Sequence, residues 1–479
     1  MAQKVTIEPV TRIEGHAKIT LDLDDAGKVS DAKFHVVEFR GFEKFVEGRH
    51  FSEMPTITSR ICGICPVSHH LAAAKAGDAL IGAEPPRPAT LLRRLMHKGQ
   101  IIQSHALAFF HLSSPDLLIG WDADPARRNI LGLVAEQPDV ARRGIALRQF
   151  GQEIIQAVGG RKIHPDVCVP GGMSRALDPK QRDRLRTGID EALEHADFGL
   201  GLIKTYFEQH AAEVDTFASF PSKYLSLVDS EGRFEVYDGL LRIVDENGTP
   251  LEAFWDTDDY LGLIGEVTED WSYLKFPFYR PDGYPEGSYR VGPLARLNVA
   301  EDVPTPRAGA EWESWRRLAS GRPVSASMYY HWARLIEVIF SLERAAELLD
   351  DPDILSTDLI TTTDQVLDQG VGVIEAPRGT LIHHYWANPD GSVAKANLIV
   401  ATGHNNYAMN QAILAVARQY VDGTNLQEGM LNRVEAAIRC YDPCLSCSTH
   451  AIGQMPMVVQ LRGPDGTLLS TATRGVSRG

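Results

Sequence analysis

The sequence predicts an α+β chain, predominantly α-helical, with a central helical core and peripheral β-hairpins. Two observations point there. Long stretches repeat apolar residues at helical spacing, as in "LLRRLMHKGQIIQSHALAFFHL" (91–112) and "YYHWARLIEVIFSLERAAELL" (329–349). Elsewhere alternating runs flank turn residues, as in "AKITLDL" (17–23) and "KFHVVEF" (33–39) around "DDAG". No internal repeat or low-complexity linker divides the 479 residues, and a 44% hydrophobic content supports one large core.

The elements follow in order. After the first hairpin comes "RGFEKFVEGR" (40–49), then a cysteine pair, then "SHHLAAAKAGDAL" (68–80), which favours helix by propensity. From 88 to 158 the pattern is helical, with separate pieces at "RRNILGLVAE" and "VARRGIALRQFGQEIIQAV". "GGRKIHPDVCVPGGM" (159–173) interrupts it with Gly and Pro at both ends. A long helix is expected over 179–213. Residues 215–305 are rich in Gly, Asp, Tyr and Phe with short alternating runs, and read as an irregular β-containing subdomain. A second hairpin pairs "GTLIHHYW" with "SVAKANLIVA" across the turn "ANPDG". Helices at 405–420 and 430–440 lead to a second cysteine pair.

A net charge of −15 argues against a nucleic-acid binder, which needs a basic face to replace counterions around phosphates. It also argues against docking on an anionic membrane surface. The N-terminal stretch has no apolar secretory core, and no run of about 18 apolar residues reads as a membrane span. The default expectation is cytoplasmic, without direct membrane insertion. A polypeptide exported with a signal-bearing partner would look the same.

Six cysteines in 479 residues do not make a disulfide scaffold. Four of them form two C-x-x-C pairs: Cys62 and Cys65 in "RICGICPVSH", and Cys444 and Cys447 in "DPCLSCSTH". Four thiolates suit a structural zinc, but zinc knuckles usually lie about 15–20 residues apart, and a chain of this size needs no metal staple. A thioredoxin-type redox site needs one pair and a βαβ setting. An iron–sulfur cluster is chemically reasonable, with tighter spacing in its common forms. The remaining reading is a catalytic soft-metal centre, since thiolates favour nickel and iron as well as zinc. Gly63 would allow close backbone approach, Arg60 could balance the thiolate field, and Pro443 fixes the chain before Cys444.

Those two motifs resemble the signatures of the large subunit of nickel–iron hydrogenases. "PVTRIEGHAKI" (9–19), "RGFEKFVEGR" (40–49), "HPDVCVPGG" (164–172) and "EAPRGTLIHH" (375–384) are similar to further family segments, in the same order. The related subunit of respiratory complex I lacks these cysteines. The resemblance implies the hydrogenase large-subunit fold. It implies that all four cysteines bind nickel, with Cys62 and Cys444 terminal and Cys65 and Cys447 bridging to iron. Iron would carry carbon monoxide and cyanide ligands.

Cleaving H₂ into a hydride and a proton needs a Lewis-acidic pair and a nearby base, such as a terminal thiolate or a guanidine. The resemblance places Arg378 over the open site, and makes Glu14 the carboxylate that passes protons from Cys444 toward the surface. A buried carboxylate there would have a raised pKa; the alternative is an ion pair with Arg12 or Arg60. Glu43, His450 and the carbonyl of Leu398 match the ligands of a nearby Mg²⁺. Thr402 aligns with a hydroxyl residue that hydrogen-bonds a cyanide, and Pro377 would line the same pocket. One departure stands out: Ser104 occupies the place where several members carry an aspartate. His69, His105 and His111 are either outer hydrogen-bonding partners or satisfied core histidines. Cys168 and Cys440 read as ordinary thiols.

In the family a protease removes a C-terminal peptide after the last histidine once metal is installed. Residues 1–450 are therefore expected to form the catalytic domain. Residues 451–479, with "MVVQLR", "GPDG" and "TLLS" reading as a small hairpin, are expected to be cut away at His450–Ala451. Too few cysteines remain for an iron–sulfur wire, and no G-x-G-x-x-G or Walker pattern marks a nucleotide site. The implied partners are an iron–sulfur small subunit, NAD-binding flavoprotein (diaphorase) subunits, a maturation protease and nickel-insertion proteins. The details look most like the cytoplasmic, bidirectional, NAD-linked type. NADP-linked, deazaflavin-linked and respiratory types, and a zinc-binding scaffold related to complex I, are the alternatives.

Overall fold

A computed structural model describes residues 3–449, 457–463 and 467–474. Its centre is helical. Arg87–Leu107 packs along Pro138–Gly159, while Tyr329–Asp350 lies against both Arg87–Leu107 and Pro179–Gln209. Tyr329–Asp350 is buried along nearly its whole first four turns, which explains its almost unbroken apolar sequence. The helix expected over 179–213 ends at Gln209, and a separate turn covers Ala211–Val214.

The first hairpin is shifted from its expected bounds. Its strands are Ala17–Leu23 and Val29–Val36, and Gln3–Ile7 adds a third antiparallel strand beside the first. Ile19 faces Phe34 across the pair, with both side chains buried. Val37 and Phe39 lie beyond the strand and are exposed. Between 215 and 305 a four-stranded sheet runs in the order 289–290, 223–228, 240–244, 250–255. This region shares its apolar core with the second hairpin: Leu225, Ile243 and Tyr289 pack in one cluster with Val373, Ile382 and Ile399.

The second hairpin has a preceding strand that the sequence pattern did not separate. Gln369–Ala376, Gly379–Ala387 and Val393–Ile399 form an antiparallel sheet. Its first two strands are buried for most of their length, because both faces are covered, and a doubly covered strand loses the alternation that marks a half-exposed one. Ala376 pairs with Gly379, so Pro377 and Arg378 form the two-residue turn at its tip. Gly379 has φ +139°, and a Cβ there would lie 2.2 Å from Val291. Only glycine fits that turn.

The two ends of the chain are sewn together at "RIEG". Glu14 forms a parallel bridge with Cys444, its N–H donating to the Pro443 carbonyl (3.4 Å) and its carbonyl accepting from the Leu445 N–H (3.1 Å). A Cβ on Gly15, at φ +87°, would come within 2.8 Å of the Leu445 side chain. Arg12 reaches the buried carboxylate of Asp116, which also pairs with Arg439 and lies 3.5 Å from Arg128. Asn432 donates to the same carboxylate at 3.0 Å. The Gly/Pro break is held in the same manner. His70 Nε2 accepts the N–H groups of Val167 and Cys168 (3.3 and 2.9 Å), and Asp78 accepts from Gly171 (2.6 Å) while paired with Arg93.

Asp116 thus faces two bonded arginines and a third nearby; Arg439 also pairs with Glu435 at 3.1 Å and Arg128 with Glu428, whereas Arg12 has Asp116 as its carboxylate. Burial pushes its carboxyl up, but Arg439 and Arg12 more than reverse this and hold it below the usual range. Asp116→Asn should cost about 3 kcal/mol, because it leaves Arg12 without a carboxylate and removes the more buried of the two partners of Arg439. Since the folded pKa is depressed, the stabilisation is fully present above the unfolded value of about 3.9 and is lost as pH falls through the lower folded value. Urea unfolding of wild type and variant should show a constant gap from about pH 7 to 5 that narrows in stronger acid.

Candidate metal centre

The first cysteine pair is a knuckle closed on itself. A single 3₁₀ turn, Ser59–Ile61, delivers Cys62 in extended conformation, and Pro66 starts the Pro66–Leu80 helix directly after Cys65. Cys62 Sγ accepts the N–H groups of Ile64 (3.2 Å) and Cys65 (3.1 Å). Gln100 and Gln103, one helical turn apart on 87–107, both donate to the Ile64 carbonyl (2.9 and 2.7 Å) and fix the knuckle from behind. The second pair follows Asp442, which adopts φ +52°, and Pro443. The Cys444 N–H donates to Thr402 Oγ1 at 2.9 Å. Thr402 lies in the turn of helix Ala401–His404, just past the strand Val393–Ile399.

All four sulfurs converge, with every pair within 4.8 Å. Cys62 and Cys444 are 3.3 Å apart, Cys65 and Cys447 3.7 Å, and Cys444 and Cys447 2.7 Å. None is more than 5% exposed. Burial keeps the Cys444 and Cys447 thiols well above the ordinary value, while hydrogen bonds from Cys444, Cys447 and Cys62 hold Cys65 well below it. Four buried thiolates at this separation repel one another strongly. Gathering them as anions therefore requires a multiply charged, thiophilic cation. The donor set fits nickel and iron on that ground. Cys168 and Cys440 stand apart, and burial pushes each thiol up to about 12, as expected of ordinary thiols.

Arg378 is buried above this group. Its Nε donates to the Asp442 carbonyl, and Nη2 lies 3.0 Å from the Asp442 carboxylate, too poorly aligned for a hydrogen bond. Both Nη atoms are therefore buried without a hydrogen-bond partner among the described residues. Burial alone would depress this guanidinium; Asp442 and the sulfurs of Cys444, Cys65 and Cys62 outweigh it and hold it charged. The balancing cation is Arg378, while Arg60, which the sequence offered for that task, is exposed. Asp442 was missed in the sequence, although it stands two residues before Cys444. Ser104 is buried with its hydroxyl unpartnered, and among the described residues Asp442 is the carboxylate paired with Arg378.

Glu14 reaches the tetrad. Its Oε2 accepts from Cys444 Sγ and from the Ser446 N–H, each at 3.1 Å. It is only partly buried, where the sequence suggested a buried carboxylate, and Arg12 turns away from it toward Asp116. Glu43 and Leu398 also meet: the Leu398 N–H donates to Glu43 Oε1 at 2.9 Å. Glu43 is 12% exposed with Lys275 3.7 Å away, and burial raises its carboxyl against the pull of that lysine. His450 lies outside the described residues. Pro377 is buried at the hairpin tip. His69 Nδ1 contacts His383 Nε2 at 3.1 Å, His105 Nε2 pairs with Glu337 at 2.6 Å, and His111 is half-buried.

Comparison with known proteins agrees with this geometry. The family model described as nickel-dependent hydrogenase matches residues 40–127 and 245–450, and one described as HoxL-like matches 4–39. The beta polypeptide of the NAD-reducing hydrogenase HoxS from Cupriavidus necator is 45% identical, over 99% of this chain and 100% of its own. One polypeptide of the F420-non-reducing hydrogenase vhu from Methanocaldococcus jannaschii is 46% identical over 87% of this chain and 99% of its own. The crystal structure of an NAD+-reducing [NiFe]-hydrogenase in the H2-reduced state superposes with a TM-score of 0.91 at 47% identity, covering 94% of this chain and 99% of that one.

Because burial raises the Cys444 and Cys447 thiols and a metal binds thiolates, metal entry should release protons. Titration of metal-free protein with Cd²⁺, followed by thiolate charge-transfer absorption, should give an apparent affinity that rises from pH 6 to pH 8. Cys65→Ala should weaken it by at least about tenfold, since loss of even supporting contacts at metal sites costs about 10–100-fold. A pH-independent affinity would contradict the assignment of protonated thiols.

Proposed function

The chain belongs to the nickel-dependent hydrogenase family, and from that premise we propose that it is the catalytic subunit of an NAD-linked nickel–iron hydrogenase, oxidising H₂ reversibly to protons and electrons. The observation that carries this reading is the buried four-cysteine group beneath a guanidinium with two unpartnered nitrogens. Cys62, Cys65, Cys444 and Cys447 would hold the metals. Bound there, the metal pair supplies the Lewis acidity for heterolytic H₂ cleavage.

The protein's own groups do the rest. Cys444 Sγ is the proton's first stop and Glu14 Oε2, 3.1 Å away, the second. The Ser446 N–H steadies the ionised form of Glu14, and the partial exposure of Glu14 gives the proton an exit. Arg378 acts as a fixed cation over the site rather than as a base. Thr402 uses a lone pair to accept the Cys444 N–H, which leaves its O–H free to donate to a cyanide on iron, beside Pro377. Glu43, the Leu398 carbonyl and His450 are the proposed Mg²⁺ ligands.

Electrons leave through another polypeptide, since four cysteines are gathered at one centre and Cys168 and Cys440 are isolated. We assign that role to an iron–sulfur small subunit, followed by NAD-binding diaphorase subunits. Among the described residues no helix is long and apolar enough to cross a membrane, in keeping with a cytoplasmic enzyme. Met457–Arg462 and Leu468–Arg474 pair as the hairpin read in the tail. We propose that cleavage at His450–Ala451, a bond outside the described residues, removes it after nickel insertion. The similarity to the Methanocaldococcus polypeptide favours, as a second reading, a different electron acceptor on the same catalytic chain.

The complex purified with its native partners should contain nickel together with a several-fold excess of iron from the iron–sulfur subunit, show infrared bands of carbon monoxide and cyanide, and reduce NAD⁺ with H₂. Zinc alone would overturn the catalytic reading, and activity with artificial dyes but not NAD⁺ would favour the second. Arg378→Lys should lower turnover per nickel by about 10²–10³, the usual effect of removing one preorganised donor. Glu14→Gln should lose turnover while keeping its metal.

A further inference from the structure

We propose that Arg296 is a positioning residue that holds the hairpin tip so that Arg378 stands over the cysteine group. Arg296 lies on helix Pro293–Val299 and is fully buried. All five of its N–H donors are used. Nε and Nη2 grip Glu337 side-on at 2.7 and 2.6 Å. Nη1 donates to Glu375 at 2.8 Å and to the Ala376 carbonyl at 3.0 Å. Nη2 donates its second hydrogen to the Pro377 carbonyl at 3.0 Å. The two carbonyls it holds belong to the two residues directly before Arg378.

The holder is itself held. His105, on helix Arg87–Leu107, pairs with Glu337 at 2.6 Å. Glu375 accepts from the Leu227 N–H at 3.0 Å and from Thr380 at 2.6 Å. At the start of the same short helix, a Cβ on Gly292 would sit 2.7 Å from the Arg378 carbonyl, so the helix presses on the turn from its other side. Two central helices, the short helix and the hairpin thus converge on one dipeptide. A buried ion triplet contributes little net stability compared with apolar packing. What it supplies is direction, because a planar fork bound on every N–H has one orientation.

The inference rests on the reading of Arg378 given above, and a double-mutant cycle separates the two. In the full complex, Arg296→Lys should lower turnover per nickel by about tenfold or more, since a misplacement of about 1 Å at a reacting group costs up to about a hundredfold. Placed on Arg378→Lys, the same change should add less than about twofold, because neighbours acting through one group are not additive. Amide hydrogen exchange in peptides spanning 376–380 should accelerate in Arg296→Lys. Should that variant fail to fold with nickel, Glu375→Gln, which preserves volume, takes its place in the cycle. An equal loss in both backgrounds, or unchanged turnover and exchange, overturns the positioning role. A silent Arg378→Lys instead overturns the assignment of Arg378, whatever Arg296 does.

Discussion

Everything in this structure depends on bringing together sulfurs 382 residues apart in the chain. The entropy of closing so long a loop grows only slowly with length, by about 0.6 kcal/mol for each doubling. The larger difficulty is electrostatic and local. The meeting point must be dry enough to protect a metal, yet it must gather groups that repel as they ionise. The fold meets this with contacts on either side of the tetrad. Glu14 and Leu445 bond backbone to backbone, and Arg12 and Arg439 share Asp116 just beyond. The ends are thus fixed by groups that need no metal, and the sulfurs are brought within coordination reach by the chain itself.

Charge is distributed around that point in shells of different character. Arg378 and Asp442 face the sulfurs directly, with Arg378 incompletely bonded. Behind them Arg296 is bonded on every donor. A cation with unused donors can answer charge that appears during a reaction; one with none can only orient its neighbours. Two arginines of similar burial therefore differ in function because of what their hydrogen bonds leave free.

Much of this was legible in the sequence, and the remainder was hidden for identifiable reasons. The cysteine pairs stood out because their spacing is local, whereas the glutamate of "RIEG" and the arginine of "EAPRG" were marked only by the resemblance to nickel–iron hydrogenases. The long helices were visible because one buried face imposes a period. The strand at 3–7 was missed because its alternation, Val5 and Ile7 against Lys4 and Thr6, runs for only five residues, and the division of the second sheet at 369–376 because a doubly covered strand carries no alternation. Asp442 and the Arg296, Glu337 and Glu375 group were missed because each acquires meaning from partners far away in sequence. A buried Glu on an apolar helix such as Tyr329–Asp350 was the one available sign, since lone carboxylates are rarely buried unpaired.

On the proposed reading, the contrast between Arg378 and Glu14 would decide how the proton leaves. Arg378 is enclosed, and its charge is favoured by Asp442 and by the sulfurs themselves, so surrendering a proton would leave those anions uncompensated. Glu14 contacts the same Cys444 sulfur from a partly exposed position and is held by one N–H. Its protonated and ionised forms both have partners there: the sulfur for one, the Ser446 amide for the other. A relay needs a group comfortable in either state, whereas a fixed field needs one that never changes. In that proposal the asymmetry of burial across a single thiol separates the two tasks, and the asymmetry itself follows from where the chain's two ends were joined.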